Sequence, residues 1–473
     1  MAILTSGTAD GPWCNPVMPI HALPRSLLSA IVFIEGFCSL GTEVIALRQI
    51  VPHLGSSIVV TAPTIGLFLL ALAWGYHTGA QADRDYAGAV ARNFLRSALL
   101  AGAGLAGVTV DLIFSGGQSP WLGYALFMGT VVCPLAWLMG QTVPILTNLM
   151  RHERTGEASG YALYHSTLGS FLGSVTLSLG LMPWLGVSAA VSLCALLLVV
   201  GHGVLTWRPT PGRALAGLAV LGVIAAFHLG PRPGVLAETA YATYGVAPVS
   251  VPGLVEARAL RNNDSLASLI DASEPPRYAR YVQHIRQLLL DTHALRDRDI
   301  LVLGAGGFTL SHRETANRYT YVDIDPAIRD LAERHFLREP IRGEFVADDA
   351  RHFVASTPRR FDAVVVDVYS AQTSIPGHLV TREFWQAARR VLQPDGLLIA
   401  NLLLDGRLAT PYARNLLATI ESVHGRCVVD VLHRTQPLSN VVVTCRNDSP
   451  PPAPATIYVD ERNAADLDHA RSR

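Results

Sequence analysis

The sequence predicts a multi-pass α-helical membrane domain followed by a water-soluble α/β domain with a parallel sheet and a small β element at its start. Three observations carry this prediction. Charge is unevenly divided: of 37 acidic and 37 basic residues in 473, only 8 Asp/Glu and 10 Arg precede residue 235. The first part therefore falls far below the roughly 25% charge of ordinary soluble domains, whereas the remainder approaches it. Long apolar stretches crowd the first part, and short strand-like and helix-like stretches alternate in the second.

Residues 1–25 read as an N-terminal segment without the basic region and apolar core of a signal peptide. Residues 26–230 read as a transmembrane domain of about seven helices, with apolar stretches near 27–47, 58–76, 94–114, 121–138, 161–182, 187–207 and 214–229. A crossing needs about 20 residues, and polar stripes at helical spacing are missing from most of these stretches. The last is short. Arg84, Arg92, Arg96, Arg151, Arg154, Arg208 and Arg213 fall in the connections after the second, fourth and sixth. Such a bias puts those connections and the N-terminus in the cytoplasm. Seven crossings then leave the C-terminal half outside, in conflict with the small-molecule site of that half described below; the expectation follows that site, an inner-membrane protein with its soluble domain in the cytoplasm.

Ionisable groups inside the apolar stretches include Glu35, Glu43, Asp111, His165 and His202. Glu35 and Glu43 are eight residues apart, about 80° on a helix, so both can face one interior side. They suit either a cation path or helix-to-helix pairing, for instance with Arg48. Gly160, Gly169, Ser170, Gly173 and Ser174 suit close helix contact.

Residues 235–446 form the soluble domain. Val-rich sequence punctuated by Pro and Gly over 244–260 suits the small β element, and a charged helix follows over about 276–290. Strand signals at 300–303, 319–322, 344–346, 363–366 and 397–401 then alternate with helical stretches, the pattern of βαβ units. The pair 427–432 and 441–445 reads as an antiparallel hairpin closing the sheet. Pro-rich 448–456 and its polar sequel make 447–473 an expected mobile polar tail.

The first strand runs into Gly304-Ala305-Gly306-Gly307 ahead of a helical stretch. Glycines there let the backbone approach a ligand, and a helix N-terminus offers unpaired amides. Asp323 ends the second strand 19 residues beyond Gly304, the distance at which an acid can accept both ribose hydroxyls. Asp348 and Asp349 follow the third strand, where a carboxylate can accept from an adenine amino group. Asp367 follows the fourth, facing the reactive end of a ligand, with Tyr369 and Ser370 just beyond.

Several function classes are excluded. Zero net charge without a basic tract argues against nucleic-acid binding. All 37 positive charges are Arg, which removes Schiff-base and Walker-lysine chemistry. Cys14, Cys38, Cys133, Cys194, Cys427 and Cys445 show no CxxC spacing, so neither a zinc site nor a disulfide framework is indicated.

The stretches ILVLGAGGFTL, YTYVDIDP, FVADDARHF, FDAVVVDVYS and LVTREFWQAARRVLQPDGLLIAN resemble the spermidine synthase (polyamine aminopropyltransferase) branch of the class I methyltransferase-like fold. FIEGFCSLGTEVIALRQIVPHLGSS and ALYHSTLGSFLGS resemble the membrane part of the fused membrane-spanning spermidine synthases. The resemblance implies a transferase of the EC 2.5.1 class, moving an aminopropyl group from decarboxylated S-adenosylmethionine to a diamine or polyamine without a metal. By it Gly304, Gly306, Asp323, Asp348 and Asp349 hold the donor, with Asp323 on the ribose and Asp349 on the adenine. Asp367 is the base, Tyr281 walls the pocket, and Tyr369 and Ser370 line the amine site. It also implies a lipid bilayer as partner and allows a homo-oligomer. Two departures stand out: Gly307 replaces the acid of the family's GGGDGG loop, and Ser370 replaces a second acid three residues beyond Asp367. Two other readings stay open. One is an S-adenosylmethionine-dependent methyltransferase or related enzyme acting on a hydrophobic substrate; the other is a polyamine transporter or sensor whose nucleoside-binding domain does not turn over.

Overall fold

The computed structural model describes residues 24–472 except 56, 83–84, 117–118, 150–154, 207–210, 231–233, 240, 264, 370–374 and 448–456. They divide into two compact units. One comprises the described residues up to Ala46 with Gly66–Leu181 and Val187–Gly230; the other comprises Leu47–Ile65, Met182–Gly186 and the chain beyond 230. Residues 1–23 of the expected N-terminal segment, and Arg84, Arg151, Arg154 and Arg208 of the connections, lie outside the described residues.

Among the described residues five helices are long and apolar enough to cross a membrane: Arg25–Leu54, Ile58–Ala80, Pro120–Asn148, Gly156–Leu205 and Pro211–His228. The third expected stretch is instead a pair, Tyr86–Gly104 and Gly107–Ser115, bent by 65°, which makes six if the pair is one crossing. The expected count of seven thus does not appear as seven separate helices. The fifth and sixth stretches share the 50 residues of Gly156–Leu205, interrupted at Gly186 with φ 79° and ψ 173°. Glycine adopts that backbone without a Cβ penalty.

Small residues bring two of these helices together. A Cβ on Gly169 would lie 2.2 Å from the Phe33 carbonyl oxygen, and one on Gly173 2.2 Å from that of Phe37. Ser170 Oγ donates to the Gly36 carbonyl at 3.2 Å. Gly160 instead faces open space, and Ser174 bonds back to Phe171 in its own helix. Glu35 and Glu43 are both buried. Glu35 accepts from Ser166 Oγ at 2.9 Å, a helix-to-helix pairing, while Arg48 donates to the Thr239 carbonyl within the second unit.

The second unit opens with four antiparallel strands in sequential order, β1 (Ala237–Glu238), β2 (Thr243–Val249), β3 (Ala257–Asn262) and β4 (Ser265–Ile270). After the helix Arg280–Gln287 come β5 (Asp299–Leu303), β6 (Arg318–Asp323), β7 (Glu344–Ala347), β8 (Phe361–Val366), β9 (Leu392–Leu404), β10 (Cys427–Val431) and β11 (Ser439–Arg446). They form one sheet in the order β10-β11-β9-β8-β5-β6-β7. β9, β8, β5, β6 and β7 run parallel, and β11 and β10 return antiparallel. Side chains alternate across a strand, so Leu301 and Leu303 enter a core with Phe384, Trp385 and Ile420. Ile300 and Val302 enter the opposite core with Ile285, Phe308 and Phe336. Both faces are covered, as a parallel sheet requires.

Two expectations are corrected here. The tail is ordered from 457 to 472. Tyr458 is 2% exposed in the core, its amide donates to Thr419 Oγ1 and its hydroxyl to Asp468. Arg351 pairs with Asp460, and Ala465–Arg471 is helical. Pro-rich composition hid a single aromatic anchor beyond it. Cys427 and Cys445 form a disulfide, for they are direct partners in the β10–β11 register. Their separation of 18 residues carries no local motif, so only the pairing of the strands reveals it.

Candidate active site

The strand order reverses between β5 and β8, since β6 and β7 extend to one side and β9 to the other. Ligands of open α/β sheets bind at such a point, outside the carboxyl ends of the strands. Gly304 and Asp367 leave β5 and β8 at this point, and their backbones are in contact. Gly304 has φ 90°, and a Cβ there would lie 2.1 Å from the Asp367 carbonyl oxygen. The position demands glycine on both grounds.

The Gly loop folds over two supports. Asp323, at the end of β6, accepts from the Ala305 amide at 2.9 Å and from the Asp325 amide at 3.0 Å. Burial pushes its carboxyl above the usual range while these amides pull it down. One oxygen goes to each amide, so each keeps a lone pair for a diol. Ser268 of β4 accepts from the Gly307 amide at 2.8 Å. A Cβ on Gly307 would lie 2.3 Å from the Phe336 ring and 2.7 Å from Ser268 Cβ. This position therefore points into the core. Phe308 next to it, with φ 55°, is fully buried against Tyr321 and Phe345.

Asp348 and Asp349 stand at the same sheet edge, beside β6, where the Asp348 amide donates to the Asp323 carbonyl at 2.9 Å. Asp349 caps the helix Ala350–Ser356 by accepting from the His352 amide at 2.9 Å, and its second oxygen faces His378 at 3.3 Å. Asp348 faces the His352 ring at 2.9 Å. Both acids remain partly exposed.

At the reactive end, burial raises the Asp367 carboxyl to about 6, against the Asn401 amide and the neighbouring Tyr281 hydroxyl, which lower it. Asn401 Nδ2 donates to Asp367 Oδ1 at 2.8 Å. Tyr281 is placed by the helix Arg280–Gln287; its hydroxyl donates to the Ala267 carbonyl at 3.1 Å and lies against Asp367, which with burial pushes its pKa well up. The Tyr369 hydroxyl donates to the Asn401 carbonyl at 2.7 Å. The structure thus brings together Gly304, Gly306, Asp323, Asp367, Tyr281 and Tyr369 around the loops after β5 and β8, with Asp348 and Asp349 at the adenine-side edge. Ser370 lies outside the described residues. Sequence reasoning missed Ser268, Asn401 and Asn440, whose Nδ2 donates to Asn401 Oδ1 at 3.1 Å. Asn401 alone left a signal, a polar residue within the apolar run of β9.

Residues 276–429 match the model of the spermine/spermidine synthase domain. The polyamine aminopropyltransferase of Mycobacterium tuberculosis is 27% identical over 446 residues, covering 84% of this chain and 81% of that protein. Polyamine aminopropyltransferase 1 of Streptomyces coelicolor is 27% identical over 440 residues, covering 81% and 77%. Alignments of that length take in the helical half as well as the α/β domain. Among solved structures, a probable spermidine synthase from Corynebacterium glutamicum is similar at 22% identity and a TM-score of 0.40, covering 46% of this chain and 82% of that one. The chain is similar over most of its length to polyamine aminopropyltransferases, which are transferases, and its residues 276–429 carry a spermine/spermidine synthase domain.

Proposed function

We propose that the protein is a membrane-anchored aminopropyltransferase in which Asp367 removes the proton from the attacking amine. The observation that carries this reading is a half-buried carboxylate at the switch point, in contact with the Gly loop, held by Asn401 and beside Tyr281. The residues fit the donor: Asp323 keeps acceptor capacity for a ribose, and Asp349 faces the edge where an adenine amino group would lie. Decarboxylated S-adenosylmethionine supplies a carbon activated by sulfonium, already an excellent leaving group. The chain has then to align an amine and remove its proton. Asp367 can hold the acceptor; its attacking nitrogen enters as the neutral amine, and as the new C–N bond forms and the C–S bond breaks to release methylthioadenosine, Asp367 takes the proton. The Tyr281 ring walls the site. Position 307 offers no carboxylate to the transferred group.

Anchoring is supported by the apolar helices and by large apolar side chains exposed on them, among them Leu70, Leu112, Leu179 and Trp184. So many exceed what a soluble surface carries. The test is product analysis by mass spectrometry on full-length protein in detergent, given decarboxylated S-adenosylmethionine or S-adenosylmethionine with a panel of amines. Methylthioadenosine and an extended amine are expected from the first donor only, and their loss in Asp367→Asn. Adenosylhomocysteine, or no product from a demonstrably bound donor, overturns the reading.

A further inference from the structure

Asp367 sits at the end of a relay of amides that starts on the hairpin. Asn440 of β11 donates through Nδ2 to Asn401 Oδ1 at 3.1 Å, and Asn401 of β9 donates through Nδ2 to Asp367 Oδ1 at 2.8 Å. β11 and β9 are paired with Asn440 next to Leu403, so the hairpin's register sets the reach of this relay. Asn401 is 2% exposed, and its carbonyl accepts from Tyr369. An amide presents a donor at one end and an acceptor at the other. Whatever takes Asn401 Oδ1 therefore decides what Asp367 meets.

We propose that Asn440 is a positioning residue: by holding Asn401 Oδ1 it turns the Asn401 amide so that Nδ2 occupies Asp367 Oδ1, leaving Oδ2 for the acceptor amine. This rests on the reading of Asp367 as the base. The groups facing Asp367 are Tyr281 from the helix Arg280–Gln287, Tyr369 from its own loop, with Tyr412 behind it, and Asn401 from β9. Asn401 is the one among them whose orientation can reverse. Reversed, it points Oδ1 at the carboxylate, which favours the protonated acid and a base that is off at neutral pH.

The test is an infrared difference titration of full-length protein in detergent, with the Asp367 carboxyl band identified by its loss in Asp367→Asn. In the parent protein the band is expected to titrate at about 6. Asn440→Asp accepts only, pulls Asn401 Nδ2 toward itself and is expected to move the titration up by about one unit or more, tenfold in proton affinity. Asn440→Leu separates orientation from added charge: it removes the donor alone and is expected to move the titration the same way by about half a unit. Asn440→Gln, which keeps a donor, is expected to stay near the parent. An unmoved titration in Asn440→Leu overturns the proposal, whether or not Asn440→Asp accumulates as folded protein. No turnover is needed, so the two readings fail separately. An unmoved titration with turnover lost in Asp367→Asn sinks the relay alone; a moved titration with turnover surviving Asp367→Asn sinks the base alone.

Discussion

Asp367 is ionised at a cost, and the cost has a sign. Its folded-state pKa of about 6 exceeds the ordinary aspartate value of about 3.9, so between those values the native state binds more protons than the unfolded chain. Stability then falls as pH rises through this window and stays lower above it, by on the order of 3 kcal/mol. Asp367→Asn is expected to raise the melting temperature at pH 8, with the gain vanishing by about pH 4, while turnover falls roughly 10²–10⁴-fold. Thermal scans at both pH values check the first half and initial rates the second. Gly307 gives the converse case. With Phe336 fully buried and its ring 2.3 Å from an added Cβ, Gly307→Ala is expected to lower stability by about 1–3 kcal/mol, read by denaturant titration. Gly307→Asp is expected to lose more and to restore no amine anchor. The strand-end acids were legible because an edge position follows from the end of an apolar run. Ser268, Asn401 and Asn440 were not, since their meaning depends on contacts between strands far apart in sequence.

Among elements, the sheet was read nearly strand for strand, because apolar runs buried on both faces leave strong signals. β9 extends past its apolar segment to take in Pro394 and Gly396, a turn-like stretch accommodated by a register irregularity against β8 at Phe361/Ala363. The C-terminal segment was misread for a different reason. Composition averages over a window, whereas one side chain, Tyr458, ties residues 457–472 into the core between Tyr412 and Thr419. Tyr458→Ala is expected to cost about 3–5 kcal/mol, visible as a lowered denaturation midpoint of the full chain. Protease cleavage within 457–472 should rise along with it. The helical segments show a similar division: apolar length marked where helices run, but the continuity of Gly156–Leu205 past Gly186 hangs on one residue's backbone.

At the scale of the whole molecule, the charge balance of zero joins a sparse helical half to a charge-rich enzymatic one. Relatives align over most of the chain at 27% identity, so the pairing of an apolar helical part with a transferase domain is not peculiar to this chain. Given the proposed anchoring, the bond between Cys427 and Cys445 reports the compartment that the second unit faces. Thiols stay reduced in the cytosol and join in oxidising compartments. These two cysteines are therefore a compartment recorder written into the hairpin. Trapped with an alkylating reagent at the moment of cell lysis, a pair that takes up two labels reports a domain facing the cytosolic donor pool. A pair that takes up none reports a domain in an oxidising compartment, where the proposed donor would have to be carried out to it.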